Sequence, residues 1–441
     1  MMVDEPEAGL RPPSGHAGRE PSPRRQSTGI RADLRQIIYA LSDTLDLVGV
    51  DDVTGGKRVA IIAAECGKQA GLDQHDITFL FDVGLLRDIG VSSTHVHAHL
   101  LQEFDWEGVQ EHCELGAALL RQVRPLAALA EPVRLHHTRW DRLQQMSLPQ
   151  RTREQANRIF LADRVNMLAA PYYADRQFLL RHAFAIREAV TARVNTYFSP
   201  RLVVDFLAVS APESFWLNLE PQSVHLYLGQ MLKQSAPIMT PMRELRCLAH
   251  VFSRIVDAKS PYMTGHSQGV SQLARWLAEH HHLDAETCDK IEIAGLLHDL
   301  GKLRIPDEII EKPGPLDEFE RHIMKTHSFE TFQILRRVAG FDEIRDWIAY
   351  DLERPATSRE PFRPQREQLV LEARIMRVAD VFQAMMQDRP FRKALPPEHA
   401  GTLLEEMAQK GELDGEIVAL VLADLPGAMS AAKATDHPTR H

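Results

Sequence analysis

His298 and Asp299 stand side by side in GLLHDLGK, residues 295–302, at the end of an apolar stretch. An imidazole nitrogen beside a carboxylate is a donor pair that suits a borderline divalent metal such as Fe, Mn, Zn or Ni. Further donors follow the same half of the chain: His266, His327, Asp351 and Asp380. Two metals about 3.5–4 Å apart could generate a hydroxide and stabilise the leaving oxygen of a phosphodiester, with a carboxylate such as Asp299 bridging them. Lys302, one turn on, could meet a phosphate oxygen as a point charge, and Arg389 and Arg392 in DRPFRKAL could do the same. Each residue also has a plainer reading. A single histidine on an apolar helix packs or caps, Lys302 could answer a helix dipole, and the two arginines could be solvated. The run His280-His281-His282 reads as a solvated helix end.

A weaker echo of the pair occurs in GLLRDIGV, residues 84–91. The landmarks around the two words keep their order. His266 lies 33 residues before Asp299, and Gly55 lies 33 before Asp88; His327 to Asp351 and His112 to His136 are both 24 residues. From His327 to Asp380 is 53 residues, against 51 from His112 to Asp163. EHCELGAALL (111–120) answers THSFETFQIL (326–335), and FLADRVNML (160–168) answers MRVADVFQAM (376–385). The chain reads as an internal duplication.

The elements that must position these donors are helices. LRQIIYALSDTLDLV (34–48), ELRCLAHVFSRIVDA (244–258), HSQGVSQLARWLAEHH (266–281) and TLLEEMAQKG (402–411) carry apolar residues at helical spacing, and alternating strand patterns are scarce. Bundles whose helices each project a ligand or two inward are a common metal scaffold. At 441 residues the chain exceeds one core. Residues 1–30, rich in Pro, Gly, Ser and Arg, read as a disordered tail, as does 429–441. Between them lie 31–205, a Pro-interrupted connector with short helices over 206–243, and 244–428. Hydrophobic residues at 44% and charged residues at 25% are ordinary for a globular protein. A net charge of −10 argues against binding duplex nucleic acid, leaving room for a small phosphorylated ligand. The four cysteines are far apart and form neither a disulfide framework nor a zinc finger, which fits a reducing cytoplasm. No run is long and apolar enough to span a bilayer, and no signal peptide is apparent. The expected location is cytoplasmic.

DAKSPYMTGHSQGVSQLA (257–274), AGLLHDLGKLRIPDEIIEKPGPLDEFERHIMKTH (294–327) and ARIMRVADVFQAMMQDRPFRKAL (373–395) resemble the HD superfamily of metal-dependent phosphohydrolases, and within it the HD-GYP group. The resemblance covers 245–428 closely and 34–205 more loosely. It implies an all-α fold of two tandem HD-type bundles, the first degenerate. It also implies a divalent transition metal, Fe or Mn, as one or two ions, and hydrolysis of a cyclic dinucleotide such as cyclic di-GMP. The family's core signature falls on His266, His298, Asp299 and Asp380. Its phosphate-contacting lysine falls on Lys302, and its substrate-contacting cations on Arg389 and Arg392.

The departures are specific. Where the family has a paired histidine and then Gly-Tyr-Pro, this chain reads YDLERPATSREPF (350–362), with Asp351 and Leu352 for the histidines and only Pro361 left of the signature. Tyr262 stands where some members have a Glu ligand. The N-terminal half shows the opposite loss: it keeps Asp88, His112, His136, His137 and Asp163 but has Gly55, Arg87 and Val91 for the first His, the paired His and the Lys. This half reads as a vestigial site, a packing or homodimerisation partner, in preference to a copy that still binds metal, since the Arg87 cation would repel a metal unless it swings away. Two functions stay open. One is a metal-dependent phosphodiesterase using Asp299 and Lys302 in catalysis. The other is a signalling scaffold that binds a nucleotide or a protein partner without turnover.

Overall fold

Aspartates open many of the helices. Asp33, Asp73, Asp175, Asp284 and Asp414 each accept a hydrogen bond from a backbone N–H in the first turn, and Asp317 forms a reciprocal capping box with Glu320. The computed structural model describes Ile30 and residues 32–48, 54–93, 108–234, 237–351 and 370–433. Its first half contains α1 (Leu34–Asp46), α2 (Gly55–Gln69), α3 (Gln74–Leu86), α4 (Val109–Gln122), α5 (Ala130–Leu135), α6 (Gln150–Ala169) and α7 (Arg176–Thr191). Next come α8 (Pro200–Val209), α9 (Glu213–Leu217) and α10 (Pro221–Gln234). The second half contains α11 (Met242–Asp257), α12 (His266–His280), α13 (Ala285–Leu297), α14 (Glu318–Leu335), α15 (Asp342–Asp351), α16 (Leu371–Met385), α17 (Pro397–Gln409), α18 (Gly415–Ala423) and α19 (Leu425–Ala432). The fold is all-α. The strand pairing among the described residues is a two-residue antiparallel clip, β1 (Ala32–Asp33) on β2 (Met239–Thr240).

Both halves close in the same way. α3 lies so close on α2 that a Cβ at Gly84 would sit 2.6 Å from Ala60 Cα; α13 lies on α12 so that one at Gly295 would sit 2.5 Å from Ser271 Cα. A Cβ at Gly90 or at Gly301 would fall 2.1 Å from the carbonyl of His112 or His327. Asp46 accepts from the Gly56 N–H at 2.7 Å, as Asp257 accepts from the Ser267 N–H at 3.2 Å. From Asp46 to Gly90, these counterparts share one offset of 211 residues.

One apolar core runs through both halves. The short helices expected over 206–243 form, with Phe206, Phe215, Trp216 and Val224 buried against the first half. At the other end α19 extends through Ala432, with Ala428 and Ala432 buried, so the expected tail from 429 is corrected for its first residues. That segment has too few large apolar residues to show a period; small alanines fill the space over α12. The halves meet through Arg337–Asp43, Ala339 N–H to Gln36 at 3.2 Å and Arg254 to Gln122 at 3.0 Å. A cavity of about 380 Å³ lies between Ile89, Leu115 and Leu119 on one side and Ile255, Asp257 and Gln268 on the other. No single described helix is long and apolar enough to cross a membrane.

Candidate metal centre

α12 begins at His266, α13 ends beside His298 and Asp299, α14 carries His327 and α16 carries Asp380, and the four elements bring these side chains to one buried point. His266 Nε2 lies 3.6 Å from Asp299 and 3.1 Å from Asp380. His298 Nε2 lies 3.3 Å from Asp299 and 3.8 Å from Asp380, and His327 Nε2 is 3.5 Å from the other Asp299 oxygen. Each imidazole is held from behind. Nδ1 donates to Gln387 Oε1 at 2.9 Å in His266, to the Gly295 carbonyl at 2.8 Å in His298 and to the Met324 carbonyl at 2.5 Å in His327. A proton on Nδ1 leaves the lone pair of Nε2 facing inward, the arrangement of metal-ligating histidines.

The fit to a divalent metal follows from what these nitrogens lack. His266 Nε2 and His298 Nε2 are buried without a hydrogen-bond partner, and the short approach of His266 to Asp380 does not have hydrogen-bond geometry. A buried unpaired acceptor is costly, and a cation between the rings and carboxylates removes that cost. His266, His298 and Asp380 can present one donor atom each within 4.8 Å of one another. The electrostatics agree. Burial opposes ionisation of Asp299, but His298, Lys302 and His327 hold its carboxyl well below the usual range. Burial also opposes ionisation of Asp380, which His266 and His298 hold well below that range. Burial pushes His327 down to about 4, so at neutral pH it is an uncharged donor.

Two positioning contacts were not legible in the sequence. Gln387 orients His266, and Asp257 holds the start of α12 by accepting from Ser267 Oγ at 2.6 Å. Burial pushes Asp257 up to about 7, and the nearby Asp299 charge pushes the same way. Lys302 reaches the centre and donates to Asp299 at 2.6 Å. Arg392 does not face it: its guanidinium donates to the carbonyls of Ala384, Met385 and Lys393, closing the end of α16. Arg389 is half-buried in the same turn, and Tyr262 is exposed on the approach to α12. The side chain of Asp351, and Leu352 and Pro361, lie outside the described residues.

The first half places its residues in two groups. Arg87, at the His298 position, donates from Nε to Asp163 at 2.8 Å and from Nη1 to the Gly84 carbonyl at 3.1 Å, and pairs through Nη2 with Asp88 at 2.8 Å. Arg164 also pairs with Asp163. The expected repulsion is thus reduced, because two carboxylates neutralise the guanidinium. The second group is His112, His136 and His137 with Cys113, all buried and within 4.8 Å in their donor atoms. Cys113 is a residue that sequence reasoning passed over. Its signal in the sequence is its adjacency to His112, which the spacing of the four cysteines does not register. Burial opposes ionisation of the Cys113 thiol, but His136 and His112 outweigh it and pull it down to about 7.

The HD domain family model matches residues 250–417, a span holding every described donor of the second-half centre. A 3′3′-cGAMP-specific phosphodiesterase 1 of Vibrio cholerae is 31% identical over 88% of this chain and 91% of its own. The cyclic di-GMP phosphodiesterase response regulator RpfG of Xanthomonas campestris is 34% identical over 39% of this chain and 45% of its own. The crystal structure of a cyclic GMP-AMP specific phosphodiesterase of V. cholerae has the same fold, with a TM-score of 0.63 at 22% identity over 90% of this chain and 98% of that one.

Proposed function

The chain belongs to the HD-domain phosphohydrolases of the HD-GYP type, and from that premise we propose that its second half is a metal-dependent phosphodiesterase acting on a cyclic dinucleotide. The observation that carries the reading is the convergence of His266, His298, His327, Asp299 and Asp380, with two buried Nε2 atoms lacking a partner. These residues would hold one or two divalent transition ions, Fe or Mn by donor type. Such an ion, when bound, supplies Lewis-acid activation of water and of the phosphoryl oxygen. Cyclic di-GMP and 3′3′-cGAMP are the substrates to try first. The chain divides in this reading into HD-type bundles over 31–205 and 244–428.

The chain's own residues do the rest. Asp299, buried and held ionised, would orient the attacking water through its oxygens. Lys302, at 2.6 Å from Asp299, supplies a cation to the scissile phosphate. Of the two arginines named for substrate contact, Arg389 is the one proposed for a second phosphate. Arg392 would serve only by giving up its three carbonyls. Leu352, in place of the second paired histidine, favours the competing reading of a ligand-binding scaffold. The test is anaerobic loading with Fe(II) or Mn(II) and assay of both dinucleotides for linear products, with Asp299→Ala in parallel. Turnover lost in that variant supports the enzyme; tight binding with no product in the wild type replaces it with the scaffold.

A further inference from the structure

We propose that Cys113, His112, His136 and His137 form a second, thiolate-containing metal site in the first half, of the closed four-ligand kind that takes zinc. The inference rests on this cluster alone and stands whether or not the second half hydrolyses a cyclic dinucleotide.

Five observations carry it. Three imidazoles and a thiol are packed together with almost no solvent, which without an ion is a costly use of buried polar surface. The ring centroids of His136 and His137 are 4.1 Å apart, and those of His112 lie 5.3 and 5.2 Å from them. His136 Nδ1 donates to the Val133 carbonyl at 2.6 Å, leaving its buried Nε2 without a hydrogen-bond partner, the same orientation as the second-half ligands. Cys113 Sγ sits 3.6 Å from His112 Nε2 and, on the other side, 3.5 Å from His136 Nδ1, the nitrogen turned to the Val133 carbonyl, with one donor atom of each of the four residues within 4.8 Å of the others. Finally, charge is already allotted nearby. Arg87 and Arg164 neutralise Asp163 and one oxygen of Asp88, while the other Asp88 oxygen faces His112 and His136 at 3.7 Å each.

The donor set decides the metal class. Thiolate with imidazole selects zinc over the harder ions that a carboxylate-rich centre takes. The counterpart of Cys113 in the second half, one residue after His327, is Ser328, so sulfur distinguishes the two sites. Binding converts the Cys113 thiol to a metal thiolate and releases its proton to solvent. The ion would tie α4 to the end of α5, next to the small apolar cluster of Leu135, Leu143 and Ala156.

The full chain, stripped by chelation and titrated anaerobically with Co(II), provides the test. The expected result is a sulfur-to-cobalt charge-transfer band that is lost in Cys113→Ser and kept in both Asp299→Ala and Cys247→Ser. Metal analysis of zinc-loaded protein should show one fewer zinc in Cys113→Ser. Should that variant misfold by circular dichroism, His137→Gln retains the sulfur and should weaken zinc retention by at least about tenfold, the lower end of what losing even an orienting partner costs. Absence of the band, its persistence in Cys113→Ser, or zinc content and retention unchanged in both variants would overturn the site.

Discussion

Arg87 and His298 occupy the same position in two halves that otherwise close alike, and the exchange changes what each half can hold. In the second half, the ring at this position presents an unpartnered Nε2 to two carboxylates. In the first half, a guanidinium spans the corresponding carboxylates, Asp88 and Asp163. A buried carboxylate pair demands positive charge, and either a metal or an arginine can supply it. The arginine is built into the chain and permanent. The metal leaves open positions for water and substrate, so only one of the two solutions permits chemistry. At this position the first half carries a side chain where the second half would hold an ion, on the same helical frame.

The most direct way to break this comparison is to make the second half resemble the first. His298→Arg should place a guanidinium between Asp299 and Asp380 and exclude the ion. Turnover is expected to fall by at least about 10²–10³-fold, the scale of losing a preorganised charge-stabilising group. The protein should remain folded by circular dichroism, with less metal bound. Retained turnover would mean that His298 is not a ligand.

The converse change probes what Arg87 does for stability. Arg87→Met leaves Asp88 and Asp163 buried with a partner removed, and such breakage costs about 3–5 kcal/mol. Urea unfolding measures it. A loss below about 1 kcal/mol, the range of exposed pairs, would show that Arg164 and the histidines suffice, and that the arginine does not substitute for an ion.

Much of this contrast was readable in the sequence, because ligand chemistry restricts residue type. His266, His298, Asp299, His327 and Asp380 are of the donor types a metal accepts, and the first half keeps Asp88, His112 and Asp163 at nearly the same spacing while Gly55 and Arg87 replace the other two. Other features left weaker traces. Arg392 has the composition of a phosphate contact and the position of a helix C-terminal cap, and only the direction of its guanidinium separates the two. Gln387 acts through a hydrogen bond across 121 residues, which no local pattern records. The final helix is short and alanine-rich, so its burial depends on the groove beneath it rather than on its own hydrophobic period.

Another difference lies in α3, where Asp82 occupies the position of the fully buried Ile293 of α13. Burial pushes Asp82 up to about 7, partly opposed by Arg35. With a folded value above the unfolded one near 3.8, the folded state keeps a proton that the unfolded chain releases. Stability from this group is therefore present at low pH and declines as pH rises from about 4 to 7. Asp82→Asn should match the wild type near pH 4 and exceed it above pH 7, by no more than about 4 kcal/mol. Denaturation at both pH values measures this. Parallel stability curves for the two proteins would show that Asp82 is ionised throughout, paired to Arg35.

The smallest effect tests whether the halves really are packed alike. Gly84 and Gly295 each bring a helix against its neighbour's backbone, where an added methyl has no flexible side chain to push aside. Gly84→Ala and Gly295→Ala should each destabilise by about 1–3 kcal/mol through overpacking. The two changes should cost similar amounts if relaxation of the helix pair is a property of the shared scaffold. Their consequences should then diverge. Gly295 lies three residues before His298 and accepts its Nδ1–H through the backbone carbonyl, so a shift there also disturbs ligand orientation and lowers metal affinity. Gly84 gives its carbonyl to Arg87 instead, and a shift there leaves the second-half centre untouched. Equal stability loss with unequal loss of metal at that centre would separate the scaffold, which both halves share, from the chemistry, which the Arg87–His298 exchange divides. Equal loss of both would mean that the halves are mechanically coupled through the interface they form.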